Sequence, residues 1–336
     1  MNSKKIPLLL TLALFIVSFG VSPEAKALTV SPVKMELEGA PGNVLSTDFR
    51  LINDQDQSVT FYGSFENFEA QGETGTPNFT TGGTDLASWA TLVPPESGED
   101  PTVITLGPGE EITRYLRVQI PMDATPGGHF AALFWSTTPP NEDDSLNIGA
   151  KVGILMFLSV EGDFETGGDL LSFQAGDARN VFNSLPLTFS YRFQNTGADR
   201  VVPEGSIEIR NLLGLPSDIL PINTGLNNVL PASARKFEET WGNTAFTTQG
   251  FLGAIQNEWH NFAFGRYTAT LTLKTDPNGE ENAQTVHFWV FPWQLLSVLL
   301  VACSALFFSL RLGILRYNRW ILKNALKNRK RTKRSK

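Results

Sequence analysis

The stretch FPWQLLSVLLVACSALFFSL, residues 291–310, decides how the chain is laid out, because none of its side chains is charged. At about 1.5 Å per residue, a helix of this length spans roughly the 30 Å hydrocarbon core of a bilayer. Aromatic residues that favour the lipid headgroup level surround its start: Phe288, Trp289, Phe291 and Trp293. We therefore predict a transmembrane helix with an aromatic entry over residues 288–310. The alternative is a core helix of a soluble protein.

The segment after this stretch, residues 311–336, is strongly basic. It carries 11 Lys and Arg, beginning with Arg311 and Arg316, and no Asp or Glu. Positive charge next to a membrane span favours the cytoplasmic side. The sequence thus predicts a basic cytoplasmic tail, with Trp289 and Trp293 as outer interface anchors and Arg311 and Arg316 as inner ones. Binding of the tail to nucleic acid is the alternative.

The N-terminus supports the same orientation. Lys4 and Lys5 precede an apolar run at residues 8–21, and Ala25-Lys26-Ala27 is a small-x-small cleavage motif. This pattern is typical of a secretory signal peptide, so residues 1–27 are predicted to be removed. An uncleaved signal anchor is the alternative.

Charge and cysteine usage restrict what the exported region can be. Residues 28–290 contain 13 Lys and Arg against 33 Asp and Glu, a net charge of −20. An acidic exterior repels nucleic acid, which we exclude as a partner of this region. The only cysteine, Cys303, lies in the predicted span. A region exported without disulfides is typical of a bacterial envelope protein rather than a disulfide-rich receptor.

The exported region has the pattern of β-strands. Residues 185–195 (LPLTFSYRFQN) alternate apolar and polar side chains, and similar runs recur between turn signals along the chain. We predict a mainly β protein with two tandem immunoglobulin-like β-sandwich domains followed by one transmembrane α-helix. The domains are a distal one at residues 28–162 and a membrane-proximal one at 163–287. Residues 70–83 are predicted to form an exposed loop, and 245–257 a short helix or loop.

Catalytic patterns are absent from the sequence. His129, His260 and His287 have no ligand or triad partner at recognisable spacing, and no G-x-S-x-G, HExxH or P-loop motif occurs. We expect no enzyme activity, no cofactor and no metal. Two alternatives stay open: a hydrolase that uses paired carboxylates, and calcium binding through the loops at Asp143 or Asp276.

Binding is expected in loops on the rigid sandwich, at residues 71–83 and 94–101. Phe79 and Trp89 are the candidate binding residues, because exposed aromatic rings suit stacking on sugars. Trp89 has a second interpretation, as part of the core.

Several short motifs resemble one family. They include Leu106-Gly107-Pro108-Gly109-Glu110, residues 121–130 (PMDATPGGHF), Phe193-Gln194-Asn195-Thr196-Gly197, and residues 230–237 (LPASARKF). With the signal peptide, two β domains, span and basic tail, the chain resembles the WxL-interacting proteins of bacterial surfaces. The resemblance implies a distal domain that binds peptidoglycan and a proximal domain that binds host or partner proteins. It identifies no binding residue.

The sequence therefore predicts a non-enzymatic, membrane-anchored cell-envelope protein for binding or adhesion. It presents two immunoglobulin-like domains to cell-wall glycan or to surface proteins. The alternative is a scaffold that assembles an envelope protein complex without binding glycan. The expected partners are the lipid bilayer, peptidoglycan or another wall glycan, and other surface proteins. The expected location is the cell membrane, single-pass, with the N-terminal ectodomain outside.

Overall fold

The computed structural model describes residues 28–96, 98–139, 151–177, 179–246, 250–274 and 281–332, the last eleven by their backbone only. The predicted signal peptide and the Asp143 and Asp276 loops lie outside the described residues. The chain divides into unit 1, Met1–Gln71 and Pro77–Phe164, and unit 2, Gly72–Thr76 and Glu165–Lys336. Both units are immunoglobulin-like β-sandwiches, so the predicted fold class is confirmed.

Unit 1 consists of two packed sheets. Its strands are β1 (Leu28–Ser31), β2 (Lys34–Gly39), β3 (Val44–Asn53), β4 (Val59–Gln71), β5 (Thr76–Thr80), β6 (Ala90–Leu92), β7 (Val103–Leu106), β8 (Glu111–Gln119), β9 (Gly127–Ser136) and β10 (Lys151–Val160), with a short helix α1 (Leu86–Trp89) before β6. One sheet has the order β1-β3-β8-β6. The other has the order β2-β10-β9-β4-β5, with β7 paired to β4.

The core of unit 1 lies between these sheets and follows from the two-residue period of a strand. In β9, Ala131, Leu133 and Trp135 face the core and are buried. The Trp135 ring lies over Gly63 on β4, where an added Cβ would stand 3.1 Å from the ring. The glycine therefore makes room for the largest side chain of this core.

Unit 2 repeats the architecture. Its elements are β11 (Gly168–Ala175), β12 (Val181–Phe182), β13 (Leu187–Asn195), β14 (Glu204–Asn211), β15 (Pro216–Pro221), β16 (Ala234–Trp241), a 3-10 turn (Thr244–Phe246), α2 (Gly250–His260), β17 (Gly265–Lys274), β18 (Asn282–Val290) and α3 (Trp293–Thr332). A sheet of order β11-β13-β16 packs on one of order β12-β18-β17-β14-β15.

The core of unit 2 is aromatic, and it corrects one prediction. Phe288 was grouped with the interface aromatics, but it is only 1% exposed. Its ring lies 5.7–6.1 Å from those of Phe189, Trp241 and Tyr267. Because neighbouring residues of a strand face opposite sides, burial of Phe288 leaves Trp289 on the outside, where it is 49% exposed.

One segment differs from its predicted structure, and a second takes one of its two predicted forms. Residues 70–83 were predicted as a loop, but β4 continues to Gln71 and β5 returns along Thr76–Thr80. The only part of this segment between the two strands is a tight turn, in which Gly72 and Gly75 both have positive φ. Residues 245–257 contain most of α2, an 11-residue helix that begins at Gly250. The edge strand β15 was not predicted, because prolines stand at both of its ends.

A buried asparagine ends an equivalent strand in each unit. In unit 1, Asn53 Nδ2 donates to the carbonyl oxygens of Gln57, Leu106 and Gly107 at 2.9–3.0 Å. Asn195 makes the equivalent hydrogen bonds in unit 2. Its Nδ2 donates to the carbonyl oxygens of Asp199 at 2.7 Å and Val229 at 2.9 Å, and its Oδ1 accepts from the Gly197 amide at 2.8 Å. The amide side chain thus replaces backbone partners where the strand ends.

Asn195→Ala is expected to lower the free energy of unfolding of unit 2 by about 1–3 kcal/mol, because buried backbone groups lose their partners. Urea unfolding of the detergent-solubilised chain measures this change. Thr196→Ala is the control, since Thr196 is exposed and its loss should stay within about 0.5 kcal/mol. Equal effects of the two substitutions would show that the Asn195 amide does not stabilise the corner.

The C-terminal helix α3 begins almost immediately after β18. Pro292 comes just before the helix, and its carbonyl oxygen accepts the first helical hydrogen bond, from the Leu296 amide at 3.1 Å. The helical segment Trp293–Ile321 is long and apolar enough to cross a membrane. No residue in its most apolar 18-residue stretch is buried. The predicted span at 291–310 thus starts two residues before the helix, while the apolar helical segment continues eleven residues beyond it.

Candidate binding surface

Five phenylalanine rings lie together on the outer face of the six-stranded sheet of unit 1. We call them the outer aromatic cluster: Phe68, Phe79, Phe130, Phe134 and Phe157. In β9, the alternate residues Leu133 and Trp135 fill the core, so the residues between them face outward. The cluster therefore covers a sheet face that would otherwise be solvated.

The rings pack mostly edge to face. Phe68 is central, with centroids 5.8 Å from Phe79, 5.8 Å from Phe130 and 5.5 Å from Phe157. Phe79 meets Phe134 at 4.8 Å with an interplanar angle of 80°. Such pairs contribute about 0.5–1.5 kcal/mol each beyond buried area. Phe68, Phe130 and Phe157 are buried, whereas Phe79 and Phe134 are half-buried. The accessible part of the cluster is thus the Phe79–Phe134 pair.

Charged groups border this pair. Lys151 Nζ lies 5.7 Å from the centre of the Phe134 ring and 3.0 Å from Glu66 Oε1. Glu66 is itself buried on the outer side of the sheet. On β10, Gly153 lies under Phe134, and a Cβ there would come within 2.7 Å of the ring. The surface is therefore an apolar centre with an ionic border on a rigid sheet.

Phe79, predicted as a loop residue, stands on the edge strand β5 and belongs to this cluster. Its neighbour Asn78 donates to Glu69 Oε1 across the hairpin at 3.1 Å. Strand pairing fixes the Phe79 side chain, so it forms part of an ordered surface rather than the tip of a loop.

Trp89, the second sequence candidate, has a different set of contacts. Its Nε1 donates to the Thr84 carbonyl oxygen at 3.1 Å, and its ring centre lies 4.6 Å from that of His129. His129 Nδ1 lies 2.5 Å from Asp85 Oδ1, and its Nε2 lies 2.8 Å from the Thr125 carbonyl oxygen. Trp89 also packs on the core of unit 1. It therefore fixes α1 to β9, which agrees with its interpretation as a core residue.

The second candidate loop, residues 94–101, is described except for Ser97. Asp100 accepts hydrogen bonds from the Thr102 hydroxyl at 2.7 Å and the Thr102 amide at 2.8 Å. These bonds lower the pKa of Asp100. The carboxylate stabilises the turn that leads into β7.

The described residues contain no group of three or more His, Cys, Asp and Glu side chains that could hold a metal ion. His287 Nδ1 lies 3.0 Å from Thr268 Oγ1, and His260 Nδ1 lies 2.8 Å from the Gln256 carbonyl oxygen. Both histidines thus have local hydrogen-bond partners.

The four predicted membrane-interface residues are all exposed. Trp289 lies on β18, Trp293 in the first turn of α3, and Arg311 and Arg316 farther along that helix. The two tryptophans stand three residues before and one residue after Pro292, so they bracket the point where the helix begins.

Sequence reasoning missed four of the five clustered rings: Phe68, Phe130, Phe134 and Phe157. A signal was present in residues 129–135 (HFAALFW), which are apolar at both odd and even positions. An apolar run with no alternation indicates a strand covered on both faces. The outer aromatic cluster covers the second face of this strand.

No family model matches the chain, and no curated protein matches it. Solved structures of similar arrangement include the class 5 fimbriae chaperone CfaA, at 10% identity and a TM-score of 0.38, over 78% of this chain and 99% of that one. The Salmonella enterica SafB chaperone with SafA pilin matches at 11% identity and 0.35, over 80% and 98%. The CsuC–CsuE complex of Acinetobacter baumannii matches at 9% and 0.35, over 79% and 99%. Values this low transfer no function to this chain.

Proposed function

We propose that the chain is a non-enzymatic binding protein anchored in the membrane of a bacterial cell envelope, with both β-sandwich units outside to bind another surface protein. The observation that supports this most directly is α3. Its apolar segment Trp293–Ile321 has 29 residues, and none of the residues in its most apolar stretch is buried. An exposed apolar helix of that length supports anchoring in a bilayer.

The outer aromatic cluster favours a protein as the partner. Protein interfaces combine a desolvated aromatic centre with a polar rim. The Phe79–Phe134 pair with Lys151 and Glu66 beside it has this composition. It lies on a sheet face formed by long, regularly paired strands. A rigid face limits the conformational entropy lost on binding.

Charge defines the kind of partner further. Residues 28–290 carry a net charge of −20, so a partner with a basic surface is attracted over a distance that shrinks as salt is added. Association with such a partner should be fastest at low ionic strength.

A wall glycan is the second candidate ligand. It is favoured by the position of Phe79 on an edge strand next to the polar side chains of Asn78 and Glu69, since sugars bind through an aromatic ring combined with hydrogen-bonding groups. Membership in the WxL-interacting family, which we propose from the resemblance of its motifs, would place peptidoglycan at unit 1.

The proposal is tested by site-specific cross-linking in cells. A photoreactive phenylalanine analogue at position 79 is expected to capture one or a few proteins. The same analogue at Tyr115, which is exposed on the other sheet of unit 1, is the control and should capture none of them. Retention of the purified chain on isolated peptidoglycan, with no protein captured at position 79, would favour the glycan instead.

Phe79→Ser is expected to weaken capture of the partner roughly thirtyfold, because a central aromatic residue contributes about 2 kcal/mol or more to an interface. Titration of the captured partner against the purified chain measures the effect. Tyr115→Ser should leave the affinity unchanged. The thermal unfolding of both variants shows whether unit 1 stays folded. An unchanged affinity in a folded Phe79→Ser protein would remove the cluster from the interface.

A further inference from the structure

The end of unit 2 from which α3 leaves is formed by three apolar connections. Strand register places them together, since Gly265 pairs with Val290 and Asn211 pairs with Tyr267. The turn between β14 and β15, the connection from α2 to β17, and the start of α3 therefore lie at one end of the sheet. We call this end the underside.

The underside exposes large apolar side chains. Leu213 at the tip of the β14–β15 turn is 79% exposed, and on α2 Leu252 is 80% and Trp259 70% exposed. Further exposed residues there are Leu212, Leu215, Phe251, Phe262, Phe264 and Phe291. So many exposed large apolar side chains on this end and on the adjoining α2 are unusual for a surface that faces water, and they indicate an interaction site.

Helix α2 exposes three large apolar side chains and buries two polar ones, although its Gln256 and His260 are also exposed. Asn257 and Glu258 are buried, whereas Phe251, Leu252 and Trp259 are exposed. The buried amide is satisfied within the unit, because Asn257 Nδ2 donates to the Leu185 carbonyl oxygen at 2.7 Å. A helix beside water shows the opposite arrangement, with its apolar stripe inward. The outer side of α2 is therefore suited to an apolar medium.

A direct bond sets the position of α2 along α3. Glu258 Oε2 accepts the backbone N–H of Leu295, in the first turn of α3, at 2.5 Å. A carboxylate is favourable at this position, because the N-terminus of a helix carries partial positive charge. Glu258 is fully buried, so the contact is part of the packing of unit 2. Helix α2 therefore lies at the level where α3 starts.

The short connection limits how far the underside can stand from a bilayer. Only Phe291 and Pro292 separate β18 from α3, and three residue steps extend at most about 10 Å. The headgroup region of a leaflet is roughly 5–7 Å thick. With Trp293 at headgroup level, the apolar connections reach the same layer. Arg266, exposed and paired in register with Trp289, supplies a cation for lipid phosphates.

We propose that the underside of unit 2 is seated in the outer headgroup interface of the lipid bilayer, with α2 along the membrane plane and the Leu213 turn inserted beside it. This inference rests on the proposed membrane anchoring by α3. The binding partner of the underside is lipid, because the apolar helix α3 begins at the same end of the unit. Unit 2 is then held in one orientation on the membrane rather than swinging on a tether.

Quenching of a fluorescent label by spin-labelled lipids tests this in the full chain in lipid vesicles. A Cys303→Ser chain, which has no other cysteine, receives one cysteine for an environment-sensitive dye: Leu213→Cys, Leu252→Cys, Leu300→Cys or Glu204→Cys. Leu300 lies in the apolar helix, and Glu204 is exposed at the opposite end of the sheet from the underside.

The proposal predicts that the fluorescence emission of the labels at 213 and 252 shifts to shorter wavelength. Spin labels at a shallow depth in the bilayer should quench most of their fluorescence. The label at 204 should show neither effect. The label at 300 should respond to deep spin labels. Response at 300 together with no response at 213 and 252 would overturn the seating of the underside and leave the anchor intact. No response at 300 would overturn the anchor and the seating with it.

Discussion

Phe288→Ala is expected to lower the free energy of unfolding of unit 2 by about 3–5 kcal/mol, the range for removing a buried aromatic side chain. The ring contacts Phe189, Trp241 and Tyr267, and it lies 5.9 Å from Phe182. Because these rings join both sheets, the cavity would open in the middle of the sandwich. Native domains are stable by about 5–15 kcal/mol, so the variant loses a large share of that margin.

The neighbouring residue provides a matched control. Trp289→Ala removes a larger side chain from the same strand, but from its exposed face. It should change the unfolding free energy by about 0.5 kcal/mol or less in detergent. Urea unfolding of both variants measures the difference. A larger loss of unfolding free energy for Trp289→Ala than for Phe288→Ala would contradict the burial of Phe288. It would favour the membrane-interface position predicted for Phe288 from the sequence.

Ending the chain at Phe291 is expected to move the protein from the detergent-requiring membrane fraction to one released by alkaline wash. The deletion removes α3, in whose uncharged segment, residues 293–310, each Leu, Phe and Val favours insertion into lipid by about 0.3–0.6 kcal/mol. The remaining underside would bind the surface only reversibly, since an interfacial contact is far weaker than a transmembrane helix.

A chain that ends at Ile321 is the control for this deletion. It keeps the apolar segment Trp293–Ile321 and loses the rest of the tail. It should remain in the membrane fraction after alkaline wash. Resistance of the Phe291-terminated chain to the same wash would show that α3 is not the principal anchor.

Some of the fold could be predicted because one physical signal was sufficient. In β13, the four apolar residues Leu187, Phe189, Tyr191 and Phe193 are buried, and they alternate with polar residues that are partly exposed except for Ser190. Alternation reports which face of a strand meets the core. It carries no information on what covers the other face, so the outer aromatic cluster was not predicted.

Two further differences have specific causes. The polarity of residues 70–83 suggested a loop, but pairing with the long strand β4 outweighs local composition at β5. Helix α2 was not recognised at its full length, because three of its large apolar residues are exposed and two of its polar residues are buried. Helix prediction assumes water outside and an apolar core inside. The exposed Phe251, Leu252 and Trp259 of α2 do not follow that pattern.

The most direct test of the central claim, that α3 spans the membrane with both β-sandwich units outside, is labelling of single cysteines with a membrane-impermeant maleimide. Spheroplasts or protoplasts with an intact cytoplasmic membrane would carry the Cys303→Ser chain with Tyr115→Cys or Lys323→Cys. The claim predicts labelling at position 115 in intact preparations and at position 323 only after the membrane is permeabilised. Labelling at 323 without permeabilisation, or none at 115, would contradict it.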